Sequence, residues 1–135
     1  MRHWVIDTNV VVSGLLNPRG PSARILDAVL DGRVKLVYDA RILAEYRDVL
    51  HRPRLKLAPD KSQTFLNALR GQLMVTPTRL TVTAPDPDDI VFVETALATT
   101  DKTIVTGNLA RYPAEILQGA RVLTPVQGVE ELAKR

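Results

Sequence analysis

Four polar residues, Asp7, Glu45, Asp89 and Asn108, stand at the margins of apolar segments. Asp7 follows Trp4-Val5-Ile6 and precedes Thr8-Asn9 and a second apolar run, while Thr106-Gly107-Asn108 closes Thr103-Ile104-Val105. Glu45 lies three residues after Ile42 and four before Val49, at the border of an apolar helical stripe. Asp89 is the third residue of a segment opened by Pro87, four before Val93 and seven before Ala96, so it shares their inward face. Side chains at the C-terminal edge of a buried parallel strand point into the crevice where α/β sheets bind ligands. Acids gathered there lose hydration and need a positive partner. His3 and His51 are far apart and cysteine is absent, so a metal partner would be held by oxygen, which favours magnesium or manganese. The expectation is that Asp7, Glu45 and Asp89 approach within about 4–6 Å of one another around one divalent ion. Asn9 would orient Asp7, and Thr106 or Ser13 would hydrogen-bond a substrate phosphate or a metal-bound water.

Each acid also has a purely structural explanation. Asp7 could be a helix N-cap, and Glu45 could pair with Arg41 or Arg47. Asp86 and Asp88 are accounted for by the cap and dipole of a helix start. Their joint arrangement at element ends on one side of a parallel sheet favours the site.

The chain has 135 residues, 45% of them hydrophobic and 4% aromatic. That length reads as one domain over residues 1–135, burying about two-thirds of its unfolded surface in a core of Val, Leu, Ile and Ala. The lack of cysteine excludes disulfides, thiolate catalysis and cysteine-bound zinc. The formal charge is +3, and Arg47, Arg52, Arg54, Lys56 and Lys61 fall close together around His51. A basic patch beside an acidic pocket suits a polyanion; the alternative is a solvated face. Arg52, Arg54 and Lys56 are the candidate nucleic-acid contacts. No run reaches the roughly 18 apolar residues of a membrane span, and no basic-then-apolar leader opens the chain, so a cytoplasmic protein is expected.

The elements that must position these residues alternate. Residues 3–7, 34–38, 102–106 and 121–123 read as strands. Helical patterns begin near Val10, at Pro21 or Ser22, after Asp39, at Asp60 with Gln63 as its capping-box partner, and at Pro87 after Asp86. Residues 109–118 read as a helix that Pro113 shortens, and Thr124, Pro125 and Gln127 as N-cap, N1 and N3 of a last one. Residues 74–86 read as a connector with at most a short edge strand. Alternation of this kind implies a parallel sheet covered on both faces.

Four stretches resemble, in order and rough spacing, the motifs of PIN-domain proteins: Val5-Ile6-Asp7-Thr8-Asn9, Ile42-Leu43-Ala44-Glu45-Tyr46, Asp86-Pro87-Asp88-Asp89, and Ile104-Val105-Thr106-Gly107-Asn108. The likeness covers nearly the whole chain. The resemblance implies a three-layer α/β/α sandwich with a central parallel sheet, and a Mg2+- or Mn2+-dependent ribonuclease with Asp7, Glu45 and Asp89 as acidic ligands. Asn108 takes the place of a fourth acid, a departure that puts a second metal and full activity in question. Asp39 departs too, replacing a small hydroxyl residue. The subgroup most resembled contains toxins of toxin–antitoxin pairs, which implies RNA as substrate, a cognate antitoxin protein as partner, and a homodimer. A catalytically weakened module that binds RNA or a protein is the alternative. A phosphoacceptor domain is disfavoured by the single Asp7 and by Thr106-Gly107-Asn108 where a lysine is needed. An aspartate-nucleophile phosphatase is disfavoured by Asn9. If the three acids repel one another without their ion, Asp89→Asn should raise the apo melting temperature.

Overall fold

The computed structural model describes residues 1–82, 84 and 86–134. Five strands, β1 (Arg2–Ile6), β2 (Val34–Tyr38), β3 (Leu73–Met74), β4 (Thr103–Val105) and β5 (Arg121–Leu123), form one sheet in the order β3-β2-β1-β4-β5. Every pairing is parallel. Trp4 lies beside Leu36 of β2 and Thr103 of β4, so the first strand is central, and the side chains of Trp4, Val5 and Ile6 are shut away from water. The chain winds outward from β1 through β2 to β3, then returns to lay β4 and β5 on the other side. The crevice between the ends of β1 and β4 is therefore the switch point, where sheets of this kind bind ligands.

Among the described residues seven helices cover the sheet: α1 (Thr8–Leu16), α2 (Pro21–Leu30), α3 (Ala40–Leu50), α4 (Pro59–Ala68), α5 (Pro87–Leu97), α6 (Ala114–Leu117) and α7 (Pro125–Leu132). The apolar helix α5 packs across β1, β2 and β4 and touches α3, while α2 packs on β2 and α7. Gly128 permits the latter contact. A Cβ there would stand 2.9 Å from Cδ1 of Ile25 and 3.4 Å from Cζ3 of Trp4. Helices on both faces of a parallel sheet make a three-layer α/β/α sandwich. No helix among the described residues is long and apolar enough to cross a membrane.

Local chemistry sets most boundaries. Asp39 accepts from Ile42 N at the start of α3, Asp86 accepts from Asp88 N at the start of α5, and Thr124 and Gln127 form a reciprocal capping box on α7. Two expectations are corrected. Helix α4 begins at Pro59 with Ala58 as N-cap, so Asp60 lies inside the first turn and Gln63 bonds Asn67 instead of capping. Proline fits that first position because its missing N–H would have no helical partner. The helix expected over residues 109–118 is two pieces, a 3-10 turn at Leu109–Arg111 and α6. Pro113 disfavours helical backbone at Tyr112, which adopts φ −122° and ψ 71°. Of the connector 74–86, Thr83 and Pro85 lie outside the described residues.

Tyr46 ties the layers together next to the crevice. Its buried hydroxyl donates to the carbonyl of Ile6 at 2.5 Å, and its ring meets Phe65 edge-on at 5.6 Å. This bond fixes α3 against the end of β1 and brings the neighbouring Glu45 toward Thr8.

Candidate functional site

Asp7 extends β1 by one residue, its amide donating to the carbonyl of Val105 at 2.9 Å. It occupies the N-cap position of α1, yet its side chain makes no capping hydrogen bond. The simple cap explanation therefore fails. The carboxylate is fully buried, and Oδ2 accepts from the hydroxyls of Thr106 and Tyr112, each at 2.9 Å, and from Asn9 Nδ2 at 3.4 Å. Asn9 also accepts from Gly107 N at 3.0 Å, so it joins the ends of β1 and β4 as expected. Oδ1 of Asp7 is buried without a hydrogen-bond partner among the described residues.

Arg111 stands between Asp7 and Asp89. Its Nη2 and Nε donate to Oδ1 and Oδ2 of Asp89 at 2.5 and 3.3 Å, a two-pronged pairing suited to a guanidinium. Its Nη1 lies 3.7 Å from Oδ2 of Asp7. Asp89 is 1% exposed on the inner first turn of α5, and burial pushes its carboxyl above the usual range against the lowering effect of Arg111. Burial also opposes the charge on Arg111, but the hydrogen bonds to Asp89 and the field of Asp7 outweigh it and hold the guanidinium protonated. The Tyr112 hydroxyl is raised by burial and by the adjacent Asp7 charge, so it remains a donor.

Glu45 is half-buried and accepts from Thr8 Oγ1. Burial raises its carboxyl, opposed by the Thr8 hydrogen bond and reinforced by the charge of Asp7. Neither expected arginine neutralises it. Arg41 pairs instead with Asp39 and Glu94, and Arg47 makes no ion pair among the described residues. Thr8, Asn9, Ser13, Glu45, Arg52 and Arg111 all line one open cleft of about 650 Å³.

The sequence-predicted residues thus fall into three groups. Asp7 and Asp89 are joined through Arg111, Glu45 is attached beside Asp7 through Thr8, and Asn9 and Thr106 hold Asp7 in place. Thr106 is fully buried and spends its hydroxyl proton on Asp7, which leaves it no free donor for a phosphate. Ser13 is exposed on α1 at the cleft wall. Asn108 is exposed; its backbone amide donates to Thr106 Oγ1, and its side chain makes no hydrogen bond among the described residues. Arg52 reaches the cleft while paired with Asp48 at 2.8 Å, and Arg54 and Lys56 are exposed on the turn after α3. Sequence reasoning missed Arg111, Tyr112 and Thr8. Only Pro113, which breaks the helix behind Arg111 and Tyr112, hinted that these two side chains could turn back toward the sheet.

Among the described residues no group of three acidic or histidine side chains is arranged to hold a metal ion. The donor types nevertheless fit a hard divalent cation, being all carboxylate oxygens, one of them buried and unpartnered in Asp7. What stands among them is the single positive charge of Arg111.

No curated protein and no solved structure matches the chain. The family model described as PIN domain matches residues 3–110, which contain Asp7, Glu45, Asp89 and Asn108 and end one residue before Arg111. That match spans most of the chain and supports a nuclease-like module; with a parallel sheet that gathers buried acids at its C-terminal edge, the chain belongs to the PIN-domain family.

Proposed function

We propose that this protein is a magnesium- or manganese-dependent endoribonuclease that hydrolyses RNA phosphodiester bonds, acting as the toxin of a toxin–antitoxin pair. The observation that carries the reading is Asp7, a fully buried carboxylate with one oxygen unpartnered, set at the switch point of a parallel sheet between Asp89 and Glu45. In this reading Asp7, Glu45 and Asp89 hold the ion, and Asn108 offers a neutral amide oxygen at the rim. When bound, a divalent ion supplies Lewis acidity toward a phosphoryl oxygen and makes water a stronger nucleophile at neutral pH.

The chain's own residues do the rest. Thr106, Tyr112 and Asn9 fix Oδ2 of Asp7 and leave Oδ1 free. Thr8 holds Glu45 beside Asp7, and burial raises the Glu45 carboxyl, so an ion held there would relieve the cost of its charge. Arg52, Arg54 and Lys56 follow the RNA backbone and make binding salt-dependent. The partners in this reading are RNA, a cognate antitoxin protein and a second copy of the chain, in the cytoplasm.

A second reading, a catalytically weakened module that binds RNA or a protein, is favoured by Asn108 at the fourth motif and by Arg111 among the acids. Cleavage of a fluorogenic RNA during titration with magnesium or manganese separates the two. Wild type should cleave only with metal, and Asp89→Asn, folded and free of contaminating nuclease, should not cleave. Undiminished cleavage by Asp89→Asn removes Asp89 from the chemistry. Retention of RNA by wild type without cleavage at any metal concentration establishes the binding module.

A further inference from the structure

We propose that Arg111 is a built-in counter-cation, whose guanidinium closes Asp7 and Asp89 together until an entering divalent ion displaces it. The inference rests on the reading that these acids hold metal. Two buried carboxylates share one positive group, and share it unequally. Asp89 receives both prongs, whereas Asp7 is reached only at 3.7 Å, beyond hydrogen-bond length. Oδ1 of Asp7 is left unpartnered although it is buried. A divalent ion brings two charges to the two carboxylates and would be the largest charge in the site.

The two acids and the arginine also differ in freedom. Asp7 and Asp89 are anchored in the sheet edge and in α5, with 0% and 1% exposure. Arg111 sits on a three-residue 3-10 turn, its side chain is 31% exposed, and it already lines the cleft. It is the member of the trio that can leave. The guanidinium therefore stabilises the empty protein and raises the threshold for metal entry.

Isothermal titration with manganese alone, together with melting curves with and without manganese, tests the device in wild type, Arg111→Gln, Arg111→Lys and Asp89→Asn. Arg111→Gln should melt lower than wild type without metal, bind manganese about tenfold tighter, and regain more stability on adding it. Lysine keeps the charge but lacks the planar fork, so Arg111→Lys should bind manganese with intermediate affinity. It also carries the test if the glutamine variant does not fold. Asp89→Asn should lose binding. If wild type binds manganese and neither arginine variant binds it tighter, the counter-cation proposal is overturned while the metal reading stands. If no variant binds manganese, the metal reading fails and takes the proposal with it. Binding by Arg111→Gln where wild type shows none would support both.

Discussion

Two arginines in this molecule have nearly the same surroundings and different consequences. Arg41 bridges Asp39 and Glu94, each at 2.7 Å; Arg111 bridges Asp89 and Asp7. Both side chains are 31% exposed, and all four acids are almost completely buried. Around Arg41 the hydrogen bonding is shared by both acids: Asp39 also caps α3 through Ile42 N, and Glu94 accepts from Leu80 N. That cluster fastens α3, α5 and the segment before α5 to one another. Around Arg111 an oxygen of Asp7 has no partner among the described residues, and Glu45 sits nearby with no ion pair among them. Buried charge by itself therefore does not mark a site. The mark is buried charge left incompletely satisfied at an open cleft.

Three substitutions sharpen this contrast, from the largest effect to the smallest. Arg41→Gln leaves two buried carboxylates without a cation. A fully buried broken pair costs about 3–5 kcal/mol, and solvent at the exposed third of Arg41 reduces the expected loss to about 2–3 kcal/mol. Urea unfolding should show it, and magnesium or manganese should not restore it. Recovery on adding metal would mean that this cluster too is a cation site.

Tyr112→Phe removes one of the two hydroxyls on Asp7 at 2.9 Å. Hydrogen bonds to charged groups contribute about 1.5–3 kcal/mol, and Thr106 and Asn9 remain, so the lower end is expected. Here metal should narrow the loss, since it would meet the same carboxylate. An equal deficit with and without manganese would place Tyr112 in the structural class with Arg41.

Glu45→Gln has the smallest effect and the opposite sign. The folded-state pKa of Glu45 lies above its ordinary value of 4.5, chiefly through burial. The folded protein therefore holds this proton more tightly than the unfolded chain, and stability falls as pH rises from the ordinary value through the raised one. Glutamine cannot ionise, so the variant should lose that decline and melt slightly higher than wild type at pH 7. Thermal melts at pH 4 and pH 7 should show the gap opening at the higher pH. A lower melting temperature at pH 7 would mean that the charged form is stabilised where it stands.

Asp89→Asn carries a revised expectation for the empty protein. Repulsion among the acids alone predicts a higher melting temperature. Arg111 already relieves part of that repulsion, and the substitution removes half of a two-pronged pair; burial still holds the carboxyl of Asp89 above its ordinary range, so removing its charge should raise the melting temperature at pH 7, by less than repulsion alone implies.

What could be read from the chain follows the range of the forces involved. β1, β2 and the starts of α2, α3, α5 and α7 follow from local pattern and from residues that cap or turn within a few positions. Asp7 and Asp89 were legible because each is an acid on an inward face at an element end, and Glu45 because it borders the apolar stripe in the middle of α3. The cap of α4 lies two residues before Asp60, at Ala58, since proline opens the helix where aspartate was expected to cap it. Arg111 and Tyr112 were not legible. Their roles depend on a helix that breaks at Pro113 and on contacts with residues brought close only by the sheet. Thr8 was overlooked because its partner Glu45 is 37 residues away.

The hydrogen bonds from Thr106 and Tyr112 to Asp7 span 99 and 105 residues of chain. A site closed by its most distant segments cannot exist in a fragment. During synthesis Asp7 emerges before the residues that grip it and waits, solvated and undirected, until they have been made. The crevice therefore reports on completion of the fold. A chain stalled before residue 112 carries the acids but not their arrangement, so any chemistry of this site is withheld until the sheet has both of its halves.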